Sequence, residues 1–307
     1  GRAPQGAPPP STSAPAQQSA GSSLLARVAP SLIKLIKDAV AAAVYDASGV
    51  RSIGSVQALR LIQQGQRPDL YASADVEYLK YVQNSSLAYL TLGGYKLAIL
   101  CRKPIGDGNM TEVKWILVDP GSAPAGYRQL AAGYFAYLLY KTPLYEVYNG
   151  TGVSMYFDGR ELHIYSPSPP KSTDRAVVAS NLDVAFSYLE TGQAACMFAY
   201  VPLLVAKGLW PAQPAGRGPL NSTAYIAERD GVKYYIYVLP PRLDFTRSPE
   251  EALGISAYLH LLGPGGEVVM TTRIGAQGAF AAAFTQKGVD VLNKIRAMDL
   301  AKYGFEG

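Results

Sequence analysis

Strand-like and helix-like segments alternate along most of this chain, and that order constrains the fold more than any single motif. Residues 24–43 carry Leu25, Val28, Leu32, Leu35 and Ile36 at helical spacing, with Lys34 and Lys37 on another face, as an amphipathic helix does. A short strand is expected at 43–47, a helix at 55–64 stopped by Gly65, and a strand at 69–72 that ends in Ser73-Ala74-Asp75. Further strands are expected at 95–101, 115–118, 197–200 and 233–239, with helices at 126–139, 183–190 and 250–262. Alternation of this kind predicts parallel sheets covered on both faces, an α/β fold. Two such sheets, each with loops at the carboxyl ends of its strands, place a ligand cleft between two lobes. The rhythm breaks at 145–165, where Asp158-Gly159 between two alternating segments predicts a hairpin.

The chain has 307 residues, 49% hydrophobic and 17% charged, enough apolar content for a sizeable core in two domains or two lobes. No run approaches the roughly 20 apolar residues that span a bilayer. The 28 basic and 23 acidic residues leave a net charge of +5. The basic ones are scattered rather than gathered into a patch, so no nucleic-acid partner is expected. Two cysteines, Cys101 and Cys196, and two histidines, His163 and His260, are too few and too dispersed for a zinc cluster, and no cofactor is expected. Whether the cysteines are joined or stay as buried thiols is left open by sequence. Residues 1–19, built of Pro, Ala, Ser, Gln and Gly, cannot bury enough apolar surface to order themselves and read as a tether. With sequons at Asn84, Asn109, Asn149 and Asn221, they suggest an exported protein whose signal segment has been removed.

The most informative segment is Val118-Asp119-Pro120-Gly121-Ser122-Ala123-Pro124-Ala125-Gly126, where a hydrophobic strand stops and a helix begins. Such a junction exposes the unpaired N–H groups of a first helical turn, to which the helix dipole adds partial positive charge. It is a natural anion seat, although an ordinary strand-to-helix loop uses the same Pro and Gly. Ser55, after Ser52-Ile53-Gly54, and Gly21-Ser22-Ser23 open two further expected helices. Three helix starts with N–H and O–H donors and no cationic side chain suit a dehydrated oxyanion.

Several of these motifs resemble the molybdate- and tungstate-binding proteins of ABC importers: Gly-Ser-Ser at 21–23, Gly-Ser at 54–55, Pro68-Asp69-Leu70-Tyr71-Ala72-Ser73-Ala74-Asp75, and Asp119-Pro120 with Pro124-Ala125-Gly126. Leu189-Glu190-Thr191-Gly192 followed by Phe198-Ala199-Tyr200 adds to the likeness, which covers most of 20–265. The resemblance implies a two-lobed type II periplasmic-binding fold that closes about a hinge and delivers its ligand to a membrane permease. On this reading one lobe comprises 20–102 and 240–307 and the other 103–239. The oxyanion, molybdate or tungstate, would be held by Ser22 or Ser23, by Ser55, by the N–H groups of Ala125 and Leu182, and by the Tyr200 hydroxyl. Where the archaeal tungstate-binding branch has carboxylates, this chain has Ala123 and Ala199, so it resembles the branch that binds a tetrahedral ion.

The function expected is therefore a monomeric, membrane-tethered, extracytoplasmic binding protein without catalytic activity. Phosphate, sulfate or an organic acid is the alternative ligand, and a secreted enzyme or a cell-surface interaction module the alternative class. No Gly-x-Ser-x-Gly elbow, P-loop or GxGxxG fingerprint is present. His163 falls in the expected hairpin without a nucleophile motif, and Asp75 suits a turn or a supporting position behind the ligand.

Overall fold

The computed structural model describes residues 22–306, so the tether expected at 1–19 lies outside the described residues. The strands form three sheets. Sheet one runs, in spatial order, β2 (Val50–Ser52), β1 (Ala26–Val28), β3 (Leu70–Ser73), β16 (Ala279–Ala283) and β4 (Ala88–Gly93). Sheet two runs β11 (Gln213–Arg217), β12 (Thr223–Arg229), β13 (Val232–Val238), β5 (Leu97–Cys101), β10 (Cys196–Tyr200), β6 (Trp115–Val118) and β9 (Ala176–Ala179). Sheet three runs β15 (Val268–Arg273), β14 (Ser256–Leu262), β8 (Glu161–Pro167) and β7 (Ser154–Phe157). The helices are α1 (Ile33–Ala42), α2 (Ser55–Gln63), α3 (Leu79–Val82), α4 (Pro124–Tyr140), α5 (Leu182–Glu190), α6 (Val201–Ala206), α7 (Pro249–Leu253) and α8 (Gln286–Ile295).

Sheets one and two are the cores of the two lobes, and their central strands read as unbroken apolar runs because both faces are covered. Every residue of β3, β16, β5, β6 and β10 is buried. On one side of sheet one, Val56, Leu59 and Ile62 of α2 pack with Tyr71 and Phe280. In sheet two, β5 and β10 are antiparallel neighbours with Cys101 opposite Cys196, and the two are joined by a disulfide.

Sheet three has one wet face, and its two inner strands alternate buried and half-buried residues along their length. Asp158-Gly159 does form the β7–β8 turn: Gly159 has φ 95°, and the Asp158 carboxylate accepts from the N–H groups of Arg160 and Glu161 at 2.8 and 2.7 Å.

Three local expectations are corrected. The helix expected over 24–43 is interrupted at Pro30, which has no N–H to donate and fits only a first helical turn. Residues before it form β1, and those after it a 3-10 turn at Pro30–Leu32 that leads into α1. No named strand occupies 43–47, where α1 ends at Ala42 and Val44 takes a left-handed φ of 64°. The helix expected over 250–262 stops at Leu253, with Gly254 at φ 71°. Ala257, Leu259 and Leu261 then point inward and Tyr258 and His260 outward, a period of two rather than 3.6. The resulting strand pairs in parallel with β8 over seven residues, from Ser256 opposite Glu161 to Leu262 opposite Pro167. Sheet three thus joins 154–167, from the segment expected to form the second lobe, to 256–273, from that expected to form the first.

Candidate functional site

Between sheets one and two lies a small cleft, partly open to solvent, lined by residues from five strand-to-helix junctions and by Ala74 after β3. Ala29, Pro30 and Ser31 follow β1, Gly54 and Ser55 open α2, Ala123, Pro124 and Ala125 open α4, Leu182 opens α5, and Tyr200 ends β10 and precedes α6. Strand–loop–helix units of one sheet bring their helix N-termini to the same edge, which is why positions so distant in sequence meet.

Four of the six residues singled out from sequence, Ser55, Ala125, Leu182 and Tyr200, line this cleft together. Ser22 and Ser23 do not. Both precede β1, at its end away from the cleft, where the Ser22 carbonyl accepts from Asp46 and the Ser23 carbonyl from Lys287. Their place is taken by Ser31. A first helix begun at residue 24 has its start, and so its ligand loop, about one strand too early. Pro30 was the available signal, since proline is favoured at the first position of a helix.

The chemistry of the lining is uniform. The Ser31 hydroxyl is buried and has no hydrogen-bond partner among the described residues, a costly state for a polar atom unless something else in the cleft meets it. The Ser55 hydroxyl accepts from the Ala74 N–H at 2.8 Å, which leaves its own proton to donate. Tyr200 accepts from Arg128 Nη1 at 3.2 Å, and its proton is likewise uncommitted among the described residues. Burial pushes the Tyr200 pKa up to about 12, against the opposing pull of Arg128, so the phenol stays protonated and remains a donor. The N–H groups of Ser55, Ala125 and Leu182 stand in the first turns of their helices, where no intrahelical acceptor exists. No charged side chain among the described residues lines the cleft.

Contacts between the lobes surround it. The Ser122 carbonyl caps α2 from across the cleft, accepting from Val56 and Gln57 at 3.0 and 3.2 Å. Position 54 must be glycine for this approach, because a Cβ there would overlap the Ser122 carbonyl. Arg60 donates to the Gly121 carbonyl, and Ser52 to Asp183, which is also paired with Lys207 at 2.8 Å.

Behind Tyr200 lies a buried polar cluster of which sequence reasoning picked out only Asp75. Arg128 on α4 and Asp75 after β3 are 3.1 Å apart and fully buried. Asp75 also accepts from the Tyr127 hydroxyl and, through its other oxygen, from the Glu77 N–H at 2.9 Å. Burial works against the Arg128 charge, but Asp75, Tyr200 and Tyr127 outweigh it and hold the guanidinium pKa above its ordinary value. For Arg128 the sequence signal was an Arg-Gln pair in a helix whose other residues are apolar, aromatic or small. His163 and His260 are elsewhere, hydrogen-bonded to each other at 2.8 Å on sheet three.

No protein-family model matches the chain, and no curated protein matches its sequence. Among solved structures it is similar to the periplasmic molybdate-binding protein of Azotobacter vinelandii, with 12% identity and a TM-score of 0.53, over 92% of this chain and 99% of that one. It is also similar to the sulfate-binding protein SubI of Mycobacterium tuberculosis, with 12% identity and a TM-score of 0.49, over 92% of this chain and 86% of that one. The first likeness is one of architecture, and with the three sheets and the cleft it identifies the two-lobed type II periplasmic-binding fold.

Proposed function

We propose that this protein is an extracytoplasmic solute-binding protein that captures a small tetrahedral oxyanion, molybdate or tungstate, and presents it to an ABC permease in the membrane. The observation that carries the reading is a lining of neutral donors without a charged side chain. Three hydroxyls with protons to give, one of them buried without a partner, converge with first-turn N–H groups, and no side chain in the lining offers a carboxylate. A fully deprotonated dianion accepts at every oxygen and matches such a set, whereas hydrogen phosphate keeps a proton that needs an acceptor.

Sulfate is the second reading, because the same donors serve it. Cavity size would discriminate, since a ring of donors set for the longer metal–oxygen bonds leaves the smaller ion with stretched hydrogen bonds. The disulfide between Cys101 and Cys196 supports an oxidising compartment. Donors from both lobes are needed to replace the anion's hydration shell, so the closed arrangement of the lobes is the one that holds it.

Isothermal titration of the dialysed protein with molybdate, tungstate, sulfate and phosphate tests this. Heat with the first two alone is expected, with Ser55→Ala and Tyr200→Phe each weakening binding roughly 10- to 100-fold, the loss of one hydrogen bond to a charged group. Heat with sulfate alone would establish the second reading, and none with any of the four would remove both.

A further inference from the structure

The cluster behind the cleft does more than fill space. Arg128 belongs to the lobe of sheet two and Asp75 to that of sheet one, so their ion pair crosses the interface between the lobes. The same guanidinium donates through Nη2 to the carbonyls of Gly275 and Ala276, at 3.3 and 3.4 Å. These residues lie in the short connection between β15 and β16, where the chain passes from sheet three back to sheet one. Through Nη1 it donates to the Tyr200 hydroxyl, which reaches the cleft. One side chain therefore touches both lobes, a linker between sheets and a candidate ligand donor.

We infer that Arg128 and Asp75 form a latch between the lobes, and that Arg128 is a positioning residue that turns the Tyr200 proton toward the ligand only while the latch is closed. The inference rests on the oxyanion reading for its ligand half alone. A hydroxyl that accepts from a fixed guanidinium N–H must aim its own proton elsewhere, and the cleft is where Tyr200 has room to do so. A buried ion pair is favourable only when its remaining hydrogen-bonding capacity is filled. Here Asp75 has three donors and both terminal nitrogens of Arg128 have acceptors, and Arg128 Nε alone of the pair is buried without a partner among the described residues. Opening the lobes separates the pair, and a guanidinium released from Asp75 and the linker carbonyls no longer fixes the Tyr200 hydroxyl within its own lobe. A latch that holds the closed form before the anion arrives removes the closing cost from binding, which raises apparent affinity in proportion to the closed population.

The test is small-angle X-ray scattering of the full chain, with and without molybdate, on wild type, Arg128→Lys and Asp75→Asn. Lysine keeps the charge but cannot serve Asp75, Tyr200 and the linker carbonyls together. Wild type is expected to have the same radius of gyration in both conditions. The two variants should be larger without anion, contract on its addition, and bind it at least tenfold more weakly. A wild type that expands when stripped of anion overturns the latch without any variant, and so do folded variants as compact as wild type. Should wild type bind no anion while both variants expand, the latch stands and the oxyanion reading falls. Should wild type bind anion while neither variant expands, the oxyanion reading stands and the latch falls.

Discussion

On the proposed oxyanion reading, Ser31 is a side chain set for a ligand at the expense of the anion-free protein. A buried hydroxyl without a partner costs about 1–3 kcal/mol, and Ser31 Oγ is such an atom. Ser31→Ala is therefore expected to raise the melting temperature of the anion-free protein while weakening anion binding by roughly an order of magnitude. Thermal denaturation and titration of one preparation would check both signs, and Ser23→Ala, at the far end of β1, should move neither. At this scale Ser55, Ala125 and Tyr200 were legible as cleft residues because each lies at a motif, and Leu182 through the family resemblance alone. Ser31 was hidden by a misplaced helix start. Arg128 was hidden for a different reason, since its partners Asp75 and Tyr200 are 53 and 72 residues away and no local pattern announces them.

Sheet three is the element with a pH response of its own. His163 Nδ1 and His260 Nε2 are 2.8 Å apart, so one of the two must accept and the pair cannot carry a proton on both facing nitrogens. His163 also meets Glu161 at 2.9 Å and His260 meets Thr271 at 2.9 Å. Burial first, and then the neighbouring His163, lower the His260 pKa below its ordinary 6.5. The unfolded chain thus binds more protons than the folded one as pH falls, and stability must fall with it. The contribution is whole above about pH 6.5 and is lost as pH drops toward the lowered folded value. Melting temperature is expected to decline between about pH 7.5 and 5.5, and His260→Gln to flatten that decline; an unchanged slope would remove the role of the pair. The strand bearing His260 follows a true helix signal, the Ser-Pro-Glu-Glu start at 248–251, which is why local pattern extends the helix too far. The stop at Gly254 and the switch to period two mark where it ends.

For the whole molecule, the disulfide between β5 and β10 is a constraint across 95 residues of chain. Closing a loop of that length in the unfolded state typically stabilises a protein by about 2–4 kcal/mol. Replacing both cysteines by alanine should lower the unfolding free energy by an amount of that order, with the denaturation midpoint shifted accordingly. Both cysteines are joined in this bridge, so thiol labelling of the unfolded, unreduced wild type should find no free thiol.

Neighbouring residues alone account for β3, β5, β6, β10 and β13, for the β7–β8 hairpin, for the helices α2, α4 and α5 with the loops that open them, and for the lack of cationic side chains at those loops. These depend on residues within a few positions of one another: apolar period, proline at a first turn, glycine at a stop. Folding in three dimensions was needed to bring the loops after β1, β2, β3, β6, β9 and β10 to one cleft, to set Cys101 opposite Cys196, to pair β8 with β14 in a third sheet, and to seat Asp75 against Arg128. The last three each join segments 53 or more residues apart. Such pairings are selected by the packing of the whole chain, where burial of apolar faces and satisfaction of buried polar groups must be met at once, and no local propensity encodes that choice.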